Sequence, residues 1–303
     1  MKKRIGLTGG TGFIGQYLIR EFGDQYDFVT ITSRDDCSAF SEKATYRKEH
    51  YDKDGFLRVF KDCEAIIHLG GTVIKGSEKE IDAEPYLRNI QLADDVFYSC
   101  HLLGINNIVY ASSVSVYAQA EDHPLKEDDL QQPRSVYGIS KVAAEHLSRL
   151  YNDRYGMRIK CLRYAQVLGY REVHTLFYGM LLKNASQGVP ITIWGDGIAG
   201  RDIVYVKDAA LAAVAALEHP DLTGPFNIGQ GRIITNMELA QAYTVGFDSE
   251  AEIVMIPVEK EDTHRWCVNC DKAKVQLGFA PKYSLISMAQ DMKHEMELAK
   301  GLL

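Results

Sequence analysis

The sequence predicts an α/β fold: a doubly wound parallel sheet with a smaller lobe assembled from discontinuous segments. Three observations carry that prediction. Short runs rich in β-branched residues alternate with longer segments of helical periodicity. The runs are apolar on both faces, as strands covered by helices on two sides require. The first run is followed at once by a glycine-rich turn that opens a helix.

Residues 4–8, 28–32, 65–69, 108–111 and 158–162 read as strands, and residues 12–22, 55–60, 87–103 and 136–155 as helices. This alternation implies parallel strands joined by crossover helices. After residue 169 the rhythm changes. A glycine-rich turn at 195–200 precedes an extended run at 201–206 and an alanine-rich helix at 209–217. A strand at 224–228 and a mixed tail ending in a helical pattern at 286–303 complete the chain. Residues 1–168 with 202–230 are therefore expected to form the larger domain, and residues 169–201 with 231–303 the smaller lobe, with a ligand in the cleft between them.

Composition narrows the function. Of 303 residues, 46% are hydrophobic and 25% charged, which excludes a disordered or low-complexity chain. The longest apolar run, 209–217, is too short for a bilayer span, which needs about 20 residues. Glycines at 6–12 interrupt the apolar core that a signal peptide would need after the basic residues at 2–4, so a cytoplasmic location is expected. The net charge of −7, without a dense basic run, argues against nucleic acid as a partner. Cys267-x-x-Cys270 follows His264, but no second Cys/His pair stands at metal spacing, so no metal site is expected.

The glycine turn reads Thr8-Gly9-Gly10-Thr11-Gly12-Phe13-Ile14-Gly15. Glycine at 9, 12 and 15 lets the chain turn sharply, lets backbone N–H groups approach a pyrophosphate and lets the helix pack closely on the strand. Gly9, Thr11, Gly12, Phe13, Ile14 and Gly15 are the candidate dinucleotide contacts. About 20 positions on, the end of the second strand reads the adenosine ribose; an acid there suits a free 2′-hydroxyl and a basic residue a 2′-phosphate. Ser33 and Arg34 occupy that place, which favours NADP, while Asp35 keeps NAD open. His68-Leu69-Gly70-Gly71 ends another strand with small residues that permit close ligand approach, His68 itself reading as a packed side chain.

Tyr137 and Lys141 stand four residues apart, on one face of a helix. A free phenol has a pKa near about 10, and a neighbouring cation favours the phenolate, so the pair is expected to act as a tuned acid and base. Ser113 lies 24 residues upstream at a strand end, where its hydroxyl can bind a substrate oxygen facing the tyrosine.

These motifs, together with Ala111-Ser112-Ser113-Val114-Ser115-Val116-Tyr117, resemble the extended short-chain dehydrogenase/reductase family, in its nucleotide-sugar epimerase/dehydratase branch. The resemblance continues through residues 194–197, 201–208, 226–229 and 271–273. It implies a Rossmann domain and a substrate-binding lobe. It further implies Tyr137 as base, Lys141 as its electrostatic partner and ribose contact, and Ser113 as the hydroxyl orienting the sugar. Leu69, Gly70, Gly71, Ala111, Tyr164 and Val167 would line the cofactor, and Thr72, Val73 and Tyr170 would shape the sugar pocket. Arg201 would grip the substrate diphosphate with its planar donor fork. Trp194 would border the nucleotide base, and Gln166 stands where the family often has an asparagine on the same diphosphate.

Two departures accompany the resemblance. Tyr51-Asp52 replaces the Gly-Asp pair that usually contacts adenine. The late arginine of a second diphosphate bond is displaced, with Lys260 near its register and Arg265 a few positions late. Val114 and Ser115 stand where dehydratases carry an Asp-Glu pair, which disfavours dehydration. The expected activity is 4-epimerisation of a UDP-hexose or UDP-N-acetylhexosamine, the alternative being NADPH-dependent reduction of a 4-keto nucleotide sugar. A non-catalytic dinucleotide sensor is a third reading, which the intact Ser113, Tyr137 and Lys141 oppose. The resemblance also implies a homodimer through the helices at 87–103 and 136–155.

Overall fold

A computed structural model describes residues 2–73, 82–117, 123–172, 176–259 and 264–301. Lys260 lies outside the described residues. The first half runs β1 (Arg4–Thr8), α1 (Phe13–Phe22), β2 (Asp27–Thr32), β3 (Ala44–Lys48), α2 (Lys53–Phe60), β4 (Ala65–His68), α3 (Glu84–Leu103), β5 (Asn107–Ser113), α4 (Val136–Tyr155) and β6 (Arg158–Tyr164). The second half adds β7 (Gln166–Leu168), α5 (Leu176–Gln187), β8 (Ile191–Trp194), β9 (Gly200–Arg201), β10 (Ile203–Tyr205), α6 (Val206–Leu217) and β11 (Gly224–Ile228). It ends with β12 (Ile234–Thr235), α7 (Asn236–Gly246), β13 (Ile253–Ile256), β14 (Arg265–Trp266), α8 (Asp271–Leu277) and α9 (Leu285–Ala299).

Seven parallel strands form the main sheet in the order β11-β6-β5-β4-β1-β2-β3. From β1 the chain builds outward through β2 and β3, then returns to lay β4, β5 and β6 on the other side. Such a reversal opens a crevice at the carboxyl ends of the two central strands. Thr8 and His68 face each other there in register, and their side chains hydrogen-bond at 2.5 Å. Burial, reinforced by nearby Lys141, pushes the His68 imidazole down to about 3, so it packs as a neutral ring.

Helices cover both faces, as the two-sided apolar strands require. On one face, α1 and α6 bury Leu18, Ile19, Ala212 and Ala213 against Ile5, Leu7 and Ile67. The alanines of α6 let its backbone approach the sheet closely. On the other face, α2, α3 and α4 bury Phe56, Phe60, Val96, Phe97 and Tyr151. A second core joins Leu181 of α5, Ile191 and Ile193 of β8, Leu239 and Tyr243 of α7 and Met288 of α9. At Gly246 a Cβ would collide with that of Ala289, so glycine sets the close approach of α7 and α9. Among the described residues no helix is long and apolar enough to cross a membrane.

The structure differs from the sequence reading in four places. Residues 44–48 form an edge strand carrying exposed Arg47 and Lys48, charges that blunt an edge and hide it from a hydrophobicity scan. The run at 201–206 is broken at Asp202, whose fully buried carboxylate accepts N–H bonds from Gln230 (2.6 Å), Gly231 (3.0 Å) and Val268 (3.2 Å). Helix α6 begins at Val206, since Lys207 and Asp208 continue it although they end the apolar run. Finally, Ala273, Leu277 and Phe279 pack into the core beside α6 and β11, so this part of the tail sits with the larger domain.

That last placement predicts that Phe279→Ala, which empties a site only 2% exposed, lowers unfolding stability in urea by about 3–5 kcal/mol. A loss below about 0.5 kcal/mol, the range of surface substitutions, would return the segment to the periphery.

Candidate active site

A cavity of about 960 Å³ lies over the crevice, at the upper end of the range for ligand pockets. Its wall gathers Gly9, Thr11, Gly12, Phe13, Ile14 and Gly15 from the first turn, then Leu69, Gly70, Gly71, Thr72 and Val73 after β4. Ala111, Ser113, Tyr137, Lys141, Tyr164, Gln166, Val167 and Arg201, also foreseen from sequence, line it as well.

The first turn is shaped for close approach. Gly9 has φ +74°, in the left-handed region, and its carbonyl accepts the Gly12 N–H at 2.9 Å. A Cβ on Gly15 would collide with that carbonyl oxygen. Helix α1 starts without a side-chain cap and without an acid in its first turn, so its partial positive charge and open N–H groups face outward. These features fit a dinucleotide pyrophosphate.

At the adenosine end the fit changes. Thr32 ends β2, and its hydroxyl accepts the Arg34 N–H at 3.1 Å. Ser33 and Arg34 are exposed and stand off the cavity wall, the guanidinium lying over the Phe40 ring at 5.5 Å. Asp35 is engaged by Lys48 in an exposed ion pair. Asp52 caps α2 by accepting the Gly55 N–H at 2.8 Å, while Tyr51 lines the cavity with its phenol donated to the Ile31 carbonyl at 2.8 Å.

Ser113, Tyr137 and Lys141 meet for a local reason. Ser135 caps α4 by accepting the Gly138 N–H at 3.0 Å. At Gly138 a Cβ would collide with the Ser115 carbonyl, so glycine brings the first turn of α4 against the turn that follows β5. Ser113 ends β5, its oxygen accepting the Ser115 N–H at 3.1 Å and its hydroxyl donating to the Ser115 hydroxyl oxygen at 3.1 Å, on the same wall as the Tyr137 phenol. Lys141 donates to the Ala111 carbonyl at 2.7 Å, with its nitrogen 5.6 Å from the centre of the Tyr137 ring.

The electrostatics correct one expectation. Burial pushes the Tyr137 phenol up to about 12, only partly offset by the nearby Ser113 hydroxyl. Burial likewise lowers Lys141 to about 8, against the attraction of Glu145. In the protein alone burial prevails, and the phenol is protonated at neutral pH.

Arg201 is half-buried on the wall, and among the described residues no carboxylate pairs with it. Trp194 is 60% exposed at the end of β8 and stands off the wall. Trp266 lines the cavity instead, because β14 pairs with β9 beside Arg201. Arg265 is exposed and off the wall. The sequence reading also missed Asn89, whose amide holds the backbone of Thr72 at 2.7 and 2.9 Å, and the wall residues Arg88, Gln91, Leu92, Asp95 and Glu172. Asn89, Leu92 and Asp95 recur every three residues on α3, a polar interruption of a buried face that spacing alone could have flagged.

A model of the NAD dependent epimerase/dehydratase family matches residues 5–229. A putative UDP-glucose 4-epimerase of Methanocaldococcus jannaschii is 32% identical over 294 residues, covering 92% of this chain and 93% of that protein. UDP-N-acetylglucosamine 4-epimerase from Bacillus cereus superposes with a TM-score of 0.86 at 28% identity, covering 98% of this chain and 97% of that one. UDP-glucose 4-epimerase from Thermotoga maritima, solved with UDP-glucose, gives 0.85 at 25% identity over 99% and 100%. With the glycine cradle and the Ser113, Tyr137 and Lys141 constellation in place, this chain belongs to the NAD dependent epimerase/dehydratase family, among the extended short-chain dehydrogenase/reductase enzymes.

Proposed function

We propose that the protein is a nucleotide-sugar 4-epimerase, acting on a UDP-hexose or UDP-N-acetylhexosamine through a 4-keto sugar. The observation that carries this reading is the grouping of Ser113, Tyr137 and Lys141 on the wall of a cavity that also holds the glycine cradle and the half-buried Arg201. The UDP-sugar epimerases to which the chain is similar support it.

In this reading Tyr137 takes the proton of the sugar 4-hydroxyl and later returns it, while Ser113 fixes that oxygen. Lys141 supplies positive charge beneath the phenol. Arg201, aided by Gln166, anchors the diphosphate, leaving the sugar free to present either face. A bound nicotinamide dinucleotide supplies reversible hydride acceptance and a positive ring in its oxidised form. Val114 is buried and Ser115 bonds Ser113, so neither provides the additional acid and base of a dehydratase. Residues 1–168 with 202–230, joined by 271–279, hold the dinucleotide, and the remaining segments close over the sugar. Six free cysteines suit a reducing cytoplasm. Exposed Leu87 and Leu102 of α3 and Ile139 and Leu150 of α4 suit a homodimer through these helices.

One observation favours the second reading, an NADPH-dependent 4-keto-sugar reductase. No acid ends β2, Asp35 is held by Lys48, and the Arg34 guanidinium is free of carboxylates among the described residues. We infer from this a preference for NADP over NAD.

Interconversion of UDP-sugars without added nicotinamide cofactor is expected, and Tyr137→Phe should lower kcat about 10²–10⁴-fold with little change in KM. Stoichiometric consumption of added NADPH would replace epimerase by reductase. In the ligand-free protein, the difference in phenolate absorbance between the wild type and Tyr137→Phe should stay flat from about pH 6 to about pH 9, because the folded phenol titrates above its ordinary value of about 10. A midpoint near neutrality would overturn the burial argument. Arg34→Ala should weaken NADP binding about tenfold relative to NAD; an unchanged ratio would remove the NADP preference.

A further inference from the structure

The sheet order places the adenosine half of a dinucleotide toward β2 and β3, since the pyrophosphate cradle follows β1 and the ribose reader follows β2. On that side the cavity wall is made by Tyr51, Leu92 and Asp95. The Tyr51 ring is fixed twice, by its phenol on the Ile31 carbonyl and by edge-on contact with Phe56 at 6.0 Å and 88°. Tyr51 and Leu92 both lean on the core beneath α2 and α3, so they offer firm apolar surface to a planar ring. Next to them Asp95 is almost buried, its side chain 11% exposed. Its carboxylate accepts the Gln91 amide at 2.9 Å and lies 3.6 Å from the Lys53 ammonium. A carboxylate has about four acceptor sites, so capacity remains for a further donor.

The carboxylate expected in this role, Asp52, is exposed, off the wall and occupied in capping α2. We infer that Asp95, oriented by Gln91 and Lys53, reads the exocyclic amino group of an adenine seated against Tyr51 and Leu92. The inference rests on the dinucleotide reading above and adds to it the residue that selects a 6-aminopurine. A 6-oxopurine would set an acceptor against this carboxylate, and neither partner could satisfy the other.

The test is equilibrium binding, by calorimetry, of NAD and NADP and of their hypoxanthine analogues to the full-length protein. Wild type should bind the adenine forms about tenfold or more tightly than the hypoxanthine forms. Asp95→Asn, nearly isosteric and able to donate to a 6-oxo group, should bring the ratio close to one, whereas Asp52→Asn should leave it unchanged. Thermal melting of both variants separates loss of selection from loss of fold; if Asp95→Asn does not fold, Gln91→Leu, which frees the carboxylate from its tether, should narrow the same ratio. A ratio near one in wild type, or a ratio that moves with Asp52 and not with Asp95, overturns the inference while the dinucleotide site stands. Failure to bind any of the four dinucleotides overturns the cofactor reading and the inference with it.

Discussion

The active-site geometry depends on a buried ion pair behind it. Glu145 and Arg163 have side chains only 8% and 3% exposed. Taking two charges out of water costs several kcal/mol per ion, and mutual attraction offsets this only when the remaining donors and acceptors are satisfied. Here they are. Arg163 reaches Glu145 at 3.0 and 2.6 Å, and Ser112 and Gln131 add bonds at 2.5 and 2.6 Å. Its other arm holds the Tyr117 phenol at 2.6 Å, which in turn bonds Asn227. The network ties β5, β6, β11 and α4 into one piece. Ser112 precedes Ser113, and Glu145 lies one turn beyond Lys141, so the pair that anchors the sheet to the helix also sets the distance between the Ser113 and Tyr137 hydroxyls.

Against that rigid backing, the chemistry depends on competition between burial and charge. The same desolvation that raises the Tyr137 phenol lowers the Lys141 ammonium, so each loses part of its ionised population. Glu145 works against this at Lys141 by favouring the cation. A site built this way keeps its phenol protonated in a dry pocket, where an added positive charge acts strongly because little water screens it. The proposed role of Tyr137 as base therefore requires positive charge brought into the pocket to favour the phenolate.

Much of this was legible in the sequence, and the reason is physical. Central parallel strands are apolar on both faces, and phosphate cradles need glycine where backbones touch, so β1, β4, β5 and the first turn announce themselves. The Tyr137 and Lys141 pair was legible because helical spacing puts both on one face. What escaped notice lacks such a constraint. Edge strand β3 carries charge, and α5 and α7 bury moderate apolar faces in a small core. Trp194 was chosen for its motif, yet β8 pairs with β13 and leaves it exposed, whereas Trp266 reaches the cavity through a two-residue strand that no periodicity can mark.

That short strand shows where the substrate side of the site is decided. Arg201 and Trp266 are far apart in sequence and become neighbours because β14 lies parallel to β9. Asp202, next to Arg201, accepts the Val268 N–H from the segment leaving β14 and the N–H groups of Gln230 and Gly231 from the turn after β11. A Cβ on Gly229 would strike this carboxylate, so even the approach of that turn is set around it. Burial raises Asp202 to about 7 although the backbone N–H groups of Val268, Gln230, Gly231 and Ile203 favour its charge, which shows how completely protein replaces water at this junction. The residue beside Arg201 thus fastens two distant segments to its own strand, and this part of the cavity wall follows from its hydrogen bonds.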